Sequence, residues 1–163
     1  MKNKKIGILI AILIYILGIG IIFVQSKIEA DKITKEREKF YIVMDTNKKD
    51  VLKIEKKYFN SSSINKMKII KTGDDKIYSI EDKKLMEDIM DKMDFLKFVS
   101  DSSLNMSTED ITFEIVTESN VLSITMSQEN KVATLKYNDS TLLVTVTDEF
   151  YDMIYSIYDK VKS

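Results

Sequence analysis

The side chains that could do chemistry in this sequence are carboxylates, hydroxyls and lysines, because it contains no His and no Cys. Among the side chains, His has the unperturbed pKa closest to neutral pH, and it is the commonest general base and metal ligand. Catalytic triads built on His, and zinc sites built on His and Cys, are therefore excluded. The chemistry that stays open uses carboxylates or a Ser–Lys pair.

Two adjacent acidic pairs, Asp74-Asp75 and Glu109-Asp110, are the most compact groups of carboxylates. Catalytic carboxylates face each other from separate elements, whereas neighbours in a turn or at a strand start are usually solvated. No spacing singles out a Ser–Lys pair, and Gly73 is the only Gly beyond residue 20, which leaves no Gly-rich phosphate loop. We therefore predict no catalytic, metal or cofactor-binding residues and no cofactor.

The last predicted helix carries the clearest signal for a binding surface. Tyr151, Tyr155 and Tyr158 form a second stripe, about 100° around the helix from its core stripe. Tyr is favoured at interfaces because it joins an apolar ring to a polar tip. We predict a partner surface on these three residues. The alternative is that the stripe packs on a predicted helical stalk at residues 25–40 or on residues 41–64.

The elements that must position these residues form an α+β domain over residues 41–163. Residues 67–71 and 76–80 flank a turn at Gly73 and predict a hairpin. Ser79 or Asp82 can cap the next helix. The core stripe of that helix recurs at helical spacing on Leu85, Ile89, Met93 and Leu96.

Period-two alternation of apolar and polar residues then predicts four strands near residues 111–115, 122–126, 133–137 and 142–146. Thr147 can cap the final helix, and the core positions of this helix are Phe150, Ile154, Ile157 and Val161. Residues 41–44 suit a strand, although the predicted order does not include it, and residues 51–59 fit a strand or a helix. We predict the order β-β-α-β-β-β-β-α, an antiparallel sheet with two helices packed on one face.

Residues 6–24 form an uncharged apolar run. At about 1.5 Å per residue it is roughly 28 Å long, close to the thickness of the hydrocarbon core of a bilayer. We predict a transmembrane helix. A cleaved signal peptide is the alternative, but the apolar cores of such peptides run only about 7–15 residues, which favours an uncleaved signal-anchor.

The flanks of this run suggest its orientation. Residues 1–5 contain three lysines and predict a cytoplasmic tail. Residues 25–40 predict a helical stalk with opposite charges at i,i+4 spacing. The stalk is also basic, which opposes the simple charge rule, but long C-terminal domains translocate largely regardless of charge. We predict the N-terminus inside and the domain outside the cell membrane.

The expected partners follow from charge and from small residues. Three lysines and no acid precede residue 26, so the rest of the chain has a net charge of −4. Nucleic-acid binding usually needs a basic face, and we predict none. Gly7, Ala11 and Gly18 share one helix face. Small residues allow two helices to approach closely, so this face could form a homodimer. The predicted partners are the bilayer and a membrane or envelope protein.

From residue 67 onward the pattern resembles a known group of proteins. The hairpin MKIIKTGDDKIYSI, the helix EDKKLMEDIMDKM and the terminal helix DEFYDMIYSIYDKV resemble small membrane-anchored extracytoplasmic domains and lipoproteins of low-GC Gram-positive bacteria. Such families have no established activity to transfer, and the lipoprotein Cys is absent here. We predict a non-enzymatic, single-pass extracytoplasmic binding or accessory module. The alternatives are an envelope enzyme using carboxylates or a Ser–Lys pair, and a self-associating spacer.

Overall fold

The structure, a computed structural model, describes residues 2–60, 62–93 and 95–162, with side chains described from residue 17 onward except at residue 96. The chain divides into two compact units, Met1–Glu38 and Lys39–Ser163. The first unit is helical, and the second is an α+β domain with its own hydrophobic core.

The helix of the first unit, α1, runs from Lys2 to Lys39, so one helix continues through nearly all of the predicted stalk. Large apolar side chains on it are exposed, among them Phe23 at 71% and Ile28 at 62%. Within the described residues, no helix combines the length and apolar character needed to cross a membrane. The side chains of residues 6–16, most of the predicted span, lie outside the described residues, and the span stays a prediction.

The described residues of the domain form one nine-stranded sheet in the order β2-β1-β5-β9-β8-β7-β6-β3-β4. The strands are β1 (Phe40–Asp45), β2 (Asp50–Glu55), β3 (Ile64–Lys71), β4 (Ile77–Ile80), β5 (Val99–Ser100), β6 (Ile111–Thr117), β7 (Val121–Met126), β8 (Val132–Tyr137) and β9 (Ser140–Thr145). Strands β1 and β5 pair in parallel, and every other pair of neighbours is antiparallel.

Two features of the predicted sheet were wrong. The sheet is mixed instead of antiparallel, and it has three more strands than the predicted order, namely β1, β2 and β5. In β2, Leu52 and Ile54 alternate inward, but Tyr58 of the 3₁₀ turn that follows directly also fits a helical spacing with Ile54, so the period alone does not decide between strand and helix. Strand β5 has only two residues, which is too short for any periodicity to mark it.

The hairpin and the four later strands are confirmed. In the β3–β4 hairpin Ile70 pairs with Ile77, and β6 to β9 follow as a meander. Their alternation places one row of side chains in the core, with Phe113, Ile124 and Leu135 completely buried. The opposite face carries half-buried Thr and Ser, as period-two patterning predicts.

Helices α2 (Lys83–Lys92) and α3 (Asp148–Lys162) contribute to the same core as the sheet. The predicted caps are confirmed: Asp82 accepts the N–H of Leu85 at 2.9 Å, and Thr147 accepts the N–H of Phe150 at 3.2 Å. Helix α2 ends before Leu96, whose side chain lies outside the described residues. These caps fix where the two helices begin on the sheet.

Candidate functional site

The tyrosine stripe of α3 lies largely inside the domain, which corrects the prediction that it forms an exposed partner surface. Tyr151 is 5% exposed and Tyr158 is 2% exposed, while Tyr155 is half-buried. The physical reason is that α3 has neighbours beyond the sheet face beneath its core stripe. Tyr78 of β4 meets Tyr158 edge-on at 5.5 Å, and the Lys131 ammonium lies 4.5 Å from the Tyr151 ring.

Tyr151 and Tyr155 stack on each other, with ring centroids 4.5 Å apart. Neither hydroxyl has a hydrogen-bond partner among the described residues, although both are buried. Burial raises the pKa of the Tyr151 hydroxyl far above its ordinary value. This hydroxyl therefore stays protonated at physiological pH, and the two stacked rings contribute to the packing of α3.

Asp74 joins the β3–β4 turn to the end of α3. Its Oδ2 accepts hydrogen bonds from the Tyr158 hydroxyl at 2.9 Å and the Tyr78 hydroxyl at 3.1 Å. Its Oδ1 accepts the backbone N–H of Lys76 at 3.3 Å. These hydrogen bonds, that from Tyr158 first, hold the pKa of the Asp74 carboxyl below its usual range. Asp74 is thus an ionised group with both oxygens occupied.

Gly73 allows the turn that presents Asp74. The N–H of Asp74 donates to the carbonyl of Lys71 at 3.0 Å, and Gly73 at the third turn position has φ of +83°. Left-handed backbone of this kind is accessible to Gly at little cost but strains residues with a side chain. The turn therefore aims the carboxylate of Asp74 back toward α3.

An open cleft of about 370 Å³ lies at this junction, and we name it the lysine–tyrosine cleft. It is lined by Lys71, Thr72, Gly73, Asp74, Lys76, Tyr78, Tyr158 and Lys162. The lining has three ammonium groups and one carboxylate. Its residues come from the β3–β4 hairpin and from the last two turns of α3, which are distant in the sequence and meet only in the folded domain.

Two of the ammonium groups lie against the same aromatic ring. The Lys71 Nζ is 5.0 Å and the Lys162 Nζ is 5.4 Å from the centroid of Tyr158. The neighbouring Tyr158 hydroxyl raises the pKa of the Lys162 ammonium. Within the described part of the chain, no carboxylate forms an ion pair with either lysine. Both ammonium groups are positioned by an aromatic ring and keep hydrogen-bond donors for a ligand.

The other predicted candidates do not converge on a site. Asp110 accepts the backbone N–H of Gln128 and holds a strand connection, and Glu109 beside it is exposed. The surroundings of Gly7 and Ala11 lie outside what the structure describes. Around Gly18, apart from its own helix backbone, no described atom lies within 4 Å of where a Cβ would be. The small-residue contact face of α1 stays a prediction.

The stability of the domain should depend on pH through Asp74. Because its pKa is lowered by folding, its stabilising contribution is present above the unfolded pKa and is lost as pH falls through the folded pKa. Asp74→Asn should therefore be less stable than the parent near pH 6, and the difference should shrink toward about pH 2. Denaturant unfolding at several pH values measures this.

Asp75→Asn is the matched control, because it removes an exposed neighbouring carboxylate and leaves both Tyr–Asp74 hydrogen bonds in place. A difference between Asp74→Asn and the parent that stays constant from pH 6 to pH 2 would contradict the role given to the Asp74 carboxylate.

Comparison with known proteins gives little further information. No family model and no curated protein matches this chain. A crystal structure described as "Putative Lipoprotein from Clostridium perfringens" is similar over 61% of this chain and 88% of that one, with 13% identity and a TM-score of 0.44. Similarity at this level supports no conclusion about function.

Proposed function

We propose that this chain is a membrane-tethered, non-enzymatic binding module whose domain lies outside the cell membrane and holds its ligand in the lysine–tyrosine cleft. The observation that carries the proposal is the pair of ammonium groups on Lys71 and Lys162, which lie against one buried ring and form no ion pair within 4 Å among the described residues. Charged groups in a cleft that lack an internal partner are suited to an external one.

The tether rests on the apolar run at residues 6–24 and on the exposure of its described part. Leu17, Ile22 and Phe23 are 59%, 68% and 71% exposed. Exposing a continuous apolar surface to water is unfavourable, and burying it in a bilayer removes that cost. The lysines of residues 1–5 favour a cytoplasmic N-terminus, which would place the domain on the outer side.

The non-enzymatic assignment rests on the protonation behaviour of the cleft. A general base works best with a pKa near the operating pH, whereas the pKa of Asp74 is lowered and both its oxygens are occupied. A lysine base needs a lowered pKa, whereas that of Lys162 is raised. The cleft is therefore better suited to holding a ligand than to moving a proton.

Lysine labelling in intact cells tests the location and the occupied cleft together. A membrane-impermeant acylating reagent should modify the domain's lysines in cells that express the full-length chain, and should spare Lys2, Lys4 and Lys5. Lys71 and Lys162 should react more slowly in cells than in the purified chain, because the bound ligand covers them. Lys92 and Lys97, which line a separate cleft, should react equally in both.

Two outcomes would contradict the proposal. Labelling of the N-terminal lysines without labelling of the domain would show that the chain has the opposite orientation in the membrane. Equal reactivity of Lys71 and Lys162 in cells and after purification would show that the cleft is empty where the protein works.

A further inference from the structure

We infer that the ligand of the lysine–tyrosine cleft carries a phosphate-type oxyanion with about two negative charges. This inference rests on the proposed binding function and names its chemical class. It follows from the charge count of the cleft, from the hydrogen bonds that its one carboxylate already accepts and from the kind of cation that lines it.

The charge count comes first. Lys71, Lys76 and Lys162 face one carboxylate, Asp74, so the lining has a formal charge of +2. The chain beyond residue 25 has a net negative charge, so the positive charge of this cleft is opposite in sign to that of the rest of the domain. A dianion neutralises such a lining, whereas a monoanion leaves it positive.

The second step is that Asp74 offsets the charge of the lysines only in part, through a longer-range attraction to Lys162. Its Oδ2 is occupied by the two tyrosine hydroxyls and its Oδ1 by a backbone N–H. Among the described residues no ion pair within 4 Å links it to Lys71, Lys76 or Lys162. Lys71 and Lys162 both lie near the Tyr158 ring and both line the cleft, so an anion bound in the cleft would reduce the repulsion between their like charges.

The third step concerns the geometry of the ligand. Arg recognises planar carboxylates through a rigid two-pronged fork, whereas Lys presents a compact point charge with three donors that can rotate. This cleft contains lysines and no arginine. A tetrahedral oxyanion offers acceptor oxygens in several directions and can be met by ammonium groups from the hairpin and from α3. The volume of the cleft, about 370 Å³, leaves room for a small organic group attached to the oxyanion.

The amide resonance of Gly73 gives a specific test, because Gly73 is the only Gly beyond residue 20 and lines the cleft. Inorganic phosphate titrated into the full-length chain in neutral-charge detergent should shift this resonance to saturation. Sodium acetate at matched ionic strength should not. Lys71→Gln/Lys162→Gln should weaken phosphate binding by roughly tenfold or more, since two charge-assisted contacts are lost. Lys92→Gln/Lys97→Gln makes the same charge change at another cleft and should bind as the parent does.

The source of the oxyanion is distinguished by two further probes. Glycerol 3-phosphate in solution represents a soluble phosphate ester, and bicelles containing phosphatidic acid represent a lipid headgroup. Whichever produces the Gly73 shift at the lower concentration identifies the source, and either result supports the oxyanion class.

The inference is overturned if acetate shifts Gly73 as phosphate does, if phosphate causes no saturable shift, or if the two double variants bind phosphate equally. The proposed function is separable from it. If Lys71 and Lys162 are protected in cells but phosphate does not bind, the proposed binding function stands and the inference of an oxyanion ligand is wrong.

Discussion

Replacing Tyr158 by Ala should lower the free energy of unfolding of the domain by about 3–5 kcal/mol, the range for truncating a buried aromatic side chain. Tyr158 is 2% exposed and meets the ring of Tyr78 edge-on. Truncation would leave a cavity beneath the hairpin and would remove the ring on which Lys71 and Lys162 lie. The measurement is guanidinium unfolding of the full-length chain in mild detergent, followed by near-ultraviolet circular dichroism of its tyrosines.

Tyr158→Phe is the control for this substitution, because it keeps the ring and loses only the hydroxyl that donates to Asp74. Its loss of stability should be much smaller than that of the Ala variant. Tyr158→Ala with parental stability would show that the stripe is not core, and would return it to the surface role predicted from the sequence.

Replacing Phe98 by Ala should have a comparable effect, about 3–5 kcal/mol. Phe98 is 1% exposed and lies between Phe95 at 5.5 Å and Phe150 of α3 at 4.9 Å. Phe95 in turn contacts Tyr41 of β1 at 4.9 Å. This aromatic row links β1 to the beginning of α3, so its loss should loosen both, and denaturant unfolding measures the change.

Phe98→Leu keeps most of the buried volume and should cost less than about 1.5 kcal/mol. If the Leu and Ala variants have the same free energy of unfolding, the buried volume at position 98 does not stabilise the domain, which would contradict the packing role given to Phe98. A small loss in Phe98→Ala together with normal stability of Tyr158→Ala would mean that α3 is held by its core stripe alone.

Much of the fold could be predicted because its signals are local. Alternation along β6 to β9 and the cap at Asp82 each depend on a few adjacent residues, and the structure confirms them. Strand β5 could not be predicted, because two residues carry no period and its pairing with β1 and β9 joins distant segments. The parallel β1–β5 pair, and with it the mixed character of the sheet, could not be predicted because β5 itself could not.

The candidate site was predictable only in part, for a related reason. Helical periodicity indicates that Tyr151, Tyr155 and Tyr158 share a face, but not what covers it. The contact that decides this, between Tyr158 and Asp74, joins residues 84 positions apart. Lys71 and Lys162 are two lysines among many in the sequence, and only folding brings them to one ring.

Ligand binding in the cleft, as proposed, would also raise the stability of the domain. Lys71 belongs to β3 and Lys162 to α3, so a ligand that contacts both would bridge the hairpin and the helix. A ligand that binds only the folded form raises the free energy of unfolding in proportion to the logarithm of its concentration above the dissociation constant. The junction at Asp74 already holds these two elements together without a ligand.

The most direct measurement of the binding function is native mass spectrometry of the full-length chain, extracted with its surrounding membrane into nanodiscs. The chain and its Lys92→Gln/Lys97→Gln variant should both carry one additional bound mass, and Lys71→Gln/Lys162→Gln should carry none. An identical bound mass on all three proteins, or none on the parent chain, would contradict ligand binding in the lysine–tyrosine cleft.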